Sequence, residues 1–201
     1  MCGRFALVAP PAGLVARFSL DACVNFEPRY NIAPTAQVPV IRQSPEGKRV
    51  ADLLRWGLIP HWARDQAIGN KLNNARAESV AEKPSFRSAY KQRRCLIPAN
   101  GYYEWQEVAG AIKQPWYIHL KGEDLMAIGG LWESWTHPDG EILRTFCVIT
   151  TSPNEVMRPI HDRMPVIIGK EYWATWLDPK VGDVGAMLAP YDAAAMEAWP
   201  V

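Results

Sequence analysis

The sequence predicts an α+β fold, in which a single domain has a mostly antiparallel, barrel-like β core and short peripheral helices. The chain has 201 residues, of which 48% are hydrophobic and 21% charged, so it can bury one core without disulfides or metals. Its strand-like segments are not regularly interleaved with helices, as a parallel sheet would require. No internal repeat, low-complexity run or Gly/Ser linker divides it, so residues 1–201 are predicted to form one domain.

The strand predictions rest on runs of β-branched and aromatic residues that are bounded by Gly, Pro or Asp. Several runs alternate in the manner of half-buried antiparallel strands, for example the Trp-Tyr-Ile-His-Leu of residues 116–120. In chain order the predicted strands are 38–41, 49–56, 95–98, 102–107, 116–120, 126–135, 143–150 and 166–168.

Helix-like segments are shorter and scattered. One begins after Pro84 and places Phe86, Ala89 and Tyr90 on one helical face. Residues 60–81 have weak apolar periodicity and many polar side chains, which predicts a long loop of the kind that carries binding groups. In chain order the predicted helices are 11–18, 85–93, 153–157, 171–177 and 191–199.

The net charge of +1 argues, taken alone, against a nucleic-acid binder that works by bulk basicity. The charge is nevertheless polarised along the chain. Residues 1–100 contain 15 Lys and Arg against 7 Asp and Glu, a net of +8, whereas residues 101–201 contain 7 against 14, a net of −7. This asymmetry indicates a basic surface facing an anionic partner, unless the two halves intermix in the fold and their fields cancel.

No stretch reaches the roughly 18 to 20 apolar residues of a membrane span, and the N-terminus lacks the features of a signal peptide. We therefore expect a soluble, cytoplasmic monomer that does not bind membranes and that is nucleoid-associated if its source is bacterial. The four cysteines form no CxxC pair, so neither a disulfide framework, a metal site nor another cofactor is predicted. Cys23, Cys95 and Cys147 have apolar neighbours typical of buried thiols, but Cys2 does not.

The N-terminal segment carries the first chemical feature. A small residue at position 2 permits removal of Met1, which would leave Cys2 with a free α-amine. An α-amine ordinarily titrates at about 7.7 to 8.0 and a cysteine thiol at about 8.5, so both are nucleophiles near neutral pH. The amine can form an imine with an aldehyde, and the thiol can then close a five-membered thiazolidine. The alternative is that Cys2 is an ordinary second residue.

Three further segments contain groups suited to acid–base chemistry or binding. Residues 74–78 place Asn74 and Arg76 on one side of an extended chain. Glu104 lies among large aromatic residues, which should raise its pKa toward a useful acid–base value. His161 has a charged neighbourhood and is followed by Pro165, which indicates a constrained loop. The alternative for this set is a structural ion pair between Glu104 and Arg163.

Six ordered segments, spread over nearly the whole chain, form a recognisable pattern. They are 1–5 (MCGRF), 28–35 (PRYNIAPT), 56–60 (WGLIP), 74–78 (NARAE), 101–105 (GYYEW) and 161–165 (HDRMP). Together they resemble the SRAP family, the SOS response-associated peptidase proteins. What the resemblance implies is a sensor of abasic sites in single-stranded DNA that captures the ring-opened sugar aldehyde through its N-terminal cysteine. It implies the catalytic residues Cys2, Asn74, Glu104 and His161, with no departure from the family pattern at these positions.

The chemistry suggests roles for these groups. We hypothesise that His161 donates a proton to the sugar ring oxygen and that Glu104 moves protons among the amine, carbinolamine and imine. Asn74 would orient the amine or the sugar hydroxyls. Glu104 would also assist hydrolysis of the Met1–Cys2 bond, unless a cellular methionine aminopeptidase performs it. Because an imine also promotes β-elimination of the 3′ phosphate, AP-lyase activity is a further expectation.

Contacts to DNA are predicted from charge and aromatic character. An abasic site has no base to read, so recognition must use the phosphates, the neighbouring bases and the aldehyde. Most of the nine tryptophans lie in apolar segments and have core packing as their alternative role. The predicted DNA-binding residues are Arg4, Arg29, Pro39, Trp62, Lys71, Arg76, Trp105, Arg158 and Arg163.

Two other functions fit the same residues. One is an N-terminal-nucleophile peptidase or amidase, in which Cys2 forms an acyl intermediate and Glu104 and His161 act as acid and base. The other is a plain binder of single-stranded DNA or RNA, in which replacement of Cys2 would leave function intact. Incubation with a peptide library and with an abasic oligonucleotide distinguishes the amidase from a protein that captures abasic sites.

Overall fold

A closed five-stranded barrel lies at the centre of the structure, a computed structural model that describes residues 2–110, 112–123 and 125–201. In chain order the strands are β1 (Arg4–Leu7), β2 (Ala22–Cys23), β3 (Arg29–Ile32), β4 (Gln37–Gln43), β5 (Arg49–Trp56), β6 (Asn74–Arg76), β7 (Arg94–Ala99), β8 (Gly101–Gln106), β9 (Gln114–Leu120), β10 (Met126–Thr136), β11 (Ile142–Thr151), β12 (Met164–Pro165) and β13 (Met196–Pro200). The α-helices are α1 (Pro11–Phe18), α2 (Arg87–Gln92) and α3 (Trp173–Leu177), and 3-10 helices span Gln66–Lys71, Ala77–Ser79, Lys170–Tyr172, Gly185–Leu188 and Ala193–Ala195.

The barrel strands follow the order β11-β10-β7-β4-β5, and β5 closes the ring by pairing in parallel with β11 at Phe146 and Trp56. The other four pairings around the ring are antiparallel. Strands β2, β6 and β12 add to the outside of this sheet through β5 and β11. The predicted α+β class with a mostly antiparallel, barrel-like core is therefore confirmed.

A second sheet, of order β13-β9-β8-β1-β3, is antiparallel throughout. Within it β1 lies beside β8, with Arg4 opposite Tyr103 and Phe5 opposite Tyr102. This register brings the N-terminal residues alongside the middle of β8. The position of Cys2 is thus fixed by the strand that follows it.

Three aromatic rings join the second sheet to the barrel. Phe5 of β1 packs on Trp56 of β5 with ring centroids 5.2 Å apart, and Trp56 stacks on Phe146 of β11 at 6.1 Å. All three side chains are fully buried. Truncation of such a buried ring typically costs about 3 to 5 kcal/mol, so this contact rigidly holds β1 against the barrel.

Most of the predicted strands and three of the predicted helices are confirmed, with shifted ends. Residues 166–168 do not form the expected strand: β12 ends at Pro165, and Ile167 makes an isolated bridge with Ile128, although Val166 and Ile168 still donate backbone hydrogen bonds to Ile149 and Ala127. Five short strands, β1, β2, β3, β6 and β12, were not predicted because two to four residues show no clear alternation. Residues 60–81 form a loop interrupted by β6 and two of the 3-10 helices.

Two helix predictions are wrong. Residues 153–157 form turns, in which the Asn154 side chain accepts a hydrogen bond from the Met157 amide and donates one to the Tyr191 carbonyl. Residues 191–199 contain one 3-10 turn and then β13, which pairs with β9 from Met196 to Pro200. Its alanines favour a helix, but pairing with an otherwise open sheet edge overrides that local preference.

No helix in the described part of the chain is long and apolar enough to cross a membrane.

Candidate functional site

The four predicted catalytic residues come together where the second sheet meets the barrel. Cys2 precedes β1 and is completely buried, and Glu104 lies in the middle of the neighbouring β8. Asn74 begins β6, which pairs in parallel with β11. His161 lies in the loop between β11 and β12. Four chain segments therefore supply the site, and two different sheets hold them.

Asn74 links the two sheets at Cys2. Its Nδ2 donates a hydrogen bond of 3.0 Å to the Cys2 carbonyl oxygen. Its Oδ1 is buried and accepts no hydrogen bond from the described residues. A buried amide oxygen without a donor costs free energy, which a substrate hydroxyl or an amine in the site would recover.

The Cys2 thiol is protonated at neutral pH. Burial and, secondarily, the charge of Glu104 raise its pKa far above that of a free cysteine. The thiolate is the reactive nucleophile, so the thiol must lose its proton as it attacks. A base is therefore needed beside the sulfur, and Glu104 is close enough for its charge to affect the thiol.

Glu104 is a buried carboxyl group, with 2% of its surface exposed. Burial raises its pKa to about 7, and the charge of Asp162 adds to this effect. Both protonation states are therefore populated at neutral pH, so the group can either give or accept a proton. The sequence analysis predicted a raised pKa for Glu104. The direction is confirmed, and its cause is burial of the carboxyl group.

His161 lies opposite Glu104, with its Nε2 atom 3.8 Å from Glu104 Oε2. Its Nδ1 lies 3.0 Å from the Arg163 amide and 2.9 Å from Asp162 Oδ1, and these two neighbours hold the ring with Nε2 toward the carboxyl group. Burial lowers the pKa of His161. Burial therefore raises the pKa of Glu104 and lowers the pKa of His161. Near neutral pH the imidazole is neutral, and the acidic proton of the pair is on the carboxyl group.

Tyr102 belongs to the site, although the sequence analysis did not select it. Its hydroxyl is buried and makes no hydrogen bond with the described residues. Burial raises the pKa of this hydroxyl, and the ionisable groups of Cys2 and Glu104 nearby add to the shift. Strand alternation could have revealed it, because Tyr102 and Glu104 are two residues apart and share a face of β8.

A cleft of about 820 Å³ opens beside Glu104 and His161. Gln106 supports it by donating a hydrogen bond of 2.8 Å to the Pro159 carbonyl and accepting one of 3.0 Å from the Trp116 indole. The first bond ties β8 to the loop that carries His161, and the second ties β8 to β9. The cleft is lined by Glu104, Trp105, Gln106, Glu107, Lys113, Pro153, Arg158, Pro159, Ile160, His161 and Asp162.

Most of the residues predicted to contact DNA are at the surface. Trp62 is 51% exposed and Trp105 is 37% exposed, so neither packs in the core. Trp105 and Arg158 line the cleft, whereas Arg29 and Pro39 line a separate cavity of about 300 Å³. Arg4 is half-buried beside the site, and the side chains of Arg29, Lys71, Arg76 and Arg158 are exposed.

Arg163 is engaged in a structural contact. Its guanidinium donates bidentate hydrogen bonds of 2.7 and 2.9 Å to Glu78 and one of 2.7 Å to the Thr150 carbonyl. This pairing lowers the pKa of Glu78. The partner of Arg163 is therefore Glu78, not Glu104 as the structural alternative supposed, and a DNA contact by Arg163 stays a prediction.

Met1, whose removal the sequence analysis predicts, lies outside the described residues. Within the described ranges, no group of three or more His, Cys, Asp or Glu side chains is arranged to hold a metal ion. Cys95 and Cys147 are buried as expected, and Cys23 is half-buried.

Comparison with known proteins places this arrangement in context. The family model of SOS response associated peptidase (SRAP) matches residues 1–201. The abasic site processing protein YoqW of Bacillus subtilis is 44% identical over all of this chain and 92% of its own length. HMCES of Xenopus tropicalis, also called an abasic site processing protein, is 33% identical over 77% of this chain and 55% of its own.

A crystal structure of a protein from Bacteroides thetaiotaomicron has the same fold, with a TM-score of 0.92 at 30% identity over all of this chain and 92% of that chain. A second, from Bordetella bronchiseptica, has a TM-score of 0.88 at 25% identity over all of this chain and 99% of that chain. The sequence match and the shared architecture agree. The chain belongs to the SOS response associated peptidase (SRAP) family.

Proposed function

We propose that the chain processes abasic sites in single-stranded DNA and captures them covalently through Cys2 after removal of Met1. The names of the relatives, abasic site processing proteins, support the substrate. One observation above all supports the chemistry: the backbone of Cys2 is held by Asn74 beside a buried carboxyl group whose pKa is about 7.

The reaction forms one stable ring. The α-amine of Cys2 adds to the C1′ aldehyde of the open sugar to give a carbinolamine, which loses one water to become an imine. The thiol then adds across the C=N bond, so that sulfur bonds to C1′ and the thiol proton ends on nitrogen. The net change is a thiazolidine and one released water, with no oxidant or metal required.

Glu104 is suited to move the protons in these steps. In its acid form it can protonate the departing hydroxyl of the carbinolamine, and the resulting carboxylate can accept the thiol proton as sulfur attacks. This assignment revises the initial hypothesis, because a neutral His161 is a poor proton donor. His161 then donates through Nε2, first to the Glu104 carboxyl group and, as the sugar ring opens, to the ring oxygen.

The proposal includes two subsidiary activities. Glu104 as a carboxylate would activate water for hydrolysis of the Met1–Cys2 bond, which would give the autopeptidase activity. The imine acidifies the C2′ proton and permits β-elimination of the 3′ phosphate, which is AP-lyase chemistry. Ring closure by the thiol removes the imine and therefore suppresses strand cleavage.

The test is incubation with single-stranded DNA that carries one abasic site, followed by a denaturing gel. We expect a heat-stable protein–DNA band, and no such band with a tetrahydrofuran analogue, which cannot open to an aldehyde. A peptide library run in parallel tests the peptidase alternative. Turnover of peptides without a DNA adduct would overturn the proposal.

A further inference from the structure

The turn that carries Trp62 is held on both sides of this residue by one barrel strand. Residues 60–63 form a tight turn, closed by a hydrogen bond of 2.9 Å from the Ala63 amide to the Pro60 carbonyl. His61, immediately before Trp62, places its Nδ1 3.2 Å from a carboxylate oxygen of Glu133. Ala63, immediately after it, accepts a hydrogen bond of 2.7 Å from the Trp135 indole.

Glu133 and Trp135 are two residues apart on β10 and therefore share one face. Glu133 is 3% exposed and forms a bidentate ion pair with Arg93, at 2.8 and 3.0 Å. It also accepts a hydrogen bond of 3.1 Å from the Ser134 amide. This buried carboxylate is thus fixed before it meets His61, so it forms a rigid anchor for an otherwise exposed turn.

The base of the same loop is closed by close backbone packing. Gly57 leaves β5 with a φ of +125°, and a Cβ added there would lie 2.6 Å from the Gly69 carbonyl oxygen. Leu58 and Leu72 are joined by a backbone hydrogen bond of 3.1 Å. The loop between them is therefore held at its base as well as at its tip.

These restraints leave the Trp62 ring itself 51% exposed. A large aromatic side chain gains little folding free energy in such a position, yet the turn that carries it is tied down by a buried charge. An exposed indole on a fixed turn is suited to stack on an unpaired base. Because the turn is already ordered, binding does not have to reduce its conformational entropy.

The location fits a nucleotide beside the abasic site. Glu133 lies opposite Thr145 on β11, and Asn74 lies opposite Val148 on the same strand. Three residues of a strand span about 10 Å along β11, and β10 and β6 pair with opposite edges of β11, so the anchor is separated from the Cys2 site both along this strand and across it. This separation favours contact of Trp62 with a neighbouring nucleotide over contact with the reacting sugar.

We propose that Glu133, acting through His61, is a positioning residue that holds Trp62 as a stacking surface for a base flanking the abasic site. This inference rests on the proposed function for its ligand. It predicts that Glu133 affects the affinity for DNA and leaves the covalent step at saturating DNA unchanged.

The experiment is a double-mutant cycle read by binding to single-stranded DNA that contains tetrahydrofuran in place of the abasic sugar. Trp62→Ala should weaken binding about tenfold, as expected for the loss of one stacked base. Glu133→Gln should weaken it about three- to fivefold in the wild-type background and not measurably in the Trp62→Ala background. An equal loss in both backgrounds would overturn the proposal.

His61 provides a second route if Glu133→Gln does not fold. His61→Ala should weaken binding about threefold, and His61→Asn, whose amide can still donate toward Glu133, should restore most of it. The matched control is His119→Ala, which removes a similar His–Glu pair, 3.1 Å to Glu197, at the edge of the other sheet. Equal losses for His61→Ala and His119→Ala, or no rescue by His61→Asn, would contradict a role for the anchor.

The readouts separate this proposal from the proposed function. Binding to the tetrahydrofuran strand needs no aldehyde, so the cycle can be read even if no adduct forms with a true abasic site. Conversely, an unchanged adduct rate at saturating DNA in Glu133→Gln would support a purely positioning role. A slowed covalent step in that variant would place Glu133 in the chemistry and refute the inference.

Discussion

Replacement of Glu104 by glutamine probes both the stability and the chemistry of the site. In the folded protein the pKa of Glu104 is about 7, against 4.5 for a free side chain, because the carboxyl group is buried. Below pH 4.5 the carboxyl group is protonated in both the folded and the unfolded protein, so ionisation does not reduce the free energy of unfolding. Between pH 4.5 and 7, Glu104 ionises in the unfolded chain but stays protonated in the folded protein, so the free energy of unfolding of the wild type falls. Above about pH 7 the group is ionised in both states, and its contribution no longer changes with pH.

The size of this change in stability follows from the pKa shift of Glu104. A difference of about 2.5 pKa units corresponds to roughly 3 kcal/mol. Glutamine does not titrate, so the stability of Glu104→Gln relative to wild type should rise by roughly 3 kcal/mol between pH 4.5 and pH 8. For a chain of this size this corresponds to a widening of the difference in melting temperature by about 6 to 12 °C.

The assay is thermal unfolding of both proteins across this pH range, with Glu82→Gln as the control. Glu82 carries the same charge in an exposed turn, so its replacement should produce no such widening. In parallel, Glu104→Gln should slow adduct formation at pH 7 by about 10²-fold or more and lose the inflection near pH 7. A constant stability difference at all pH values, or a wild-type adduct rate, would refute the reasoning.

Three further predictions concern the nucleophile, the imidazole and the charged contacts. Cys2→Ala should lose the heat-stable adduct but, once Met1 is removed, form an imine that borohydride traps and that cleaves the strand; a heat-stable adduct from this variant would exclude ring closure by sulfur. His161→Ala should slow adduct formation while affinity for tetrahydrofuran-containing DNA, measured by fluorescence anisotropy, stays the same; weaker binding would assign His161 to DNA contact instead. Arg76→Ala should weaken DNA binding and reduce the slope of log affinity against log salt by about 1, without a change in melting temperature. Arg163→Ala should instead lower the melting temperature, because Glu78 loses its bidentate partner.

The sequence predicted the barrel and its longer strands because those segments are rich in β-branched, aromatic and other apolar residues. It did not predict β1, although this strand positions the nucleophile. A four-residue strand has too few alternations to be recognised, and its formation depends on packing of Phe5 against Trp56, 51 residues away. The error at residues 191–199 has the same origin, since an edge of the second sheet determines the conformation of that segment.

The residues of the candidate site could be predicted because they lie in short motifs that resemble those of the family. Their mutual arrangement could not, since it depends on contacts between distant segments. The bond from Asn74 to the Cys2 carbonyl and the link from Gln106 to the His161 loop are examples. The opposite pKa shifts of Glu104 and His161, on which our proposal for the proton donor depends, follow from burial that only the fold creates.

The most direct test of covalent capture by Cys2 is the intact mass of the protein before and after incubation with single-stranded DNA that carries an abasic site. We predict that the free protein has lost Met1, and that the adduct equals the sum of protein and oligonucleotide minus one water. Digestion should locate the added mass on the peptide that begins with Cys2. Retention of Met1, or a complete absence of adduct, would contradict the account.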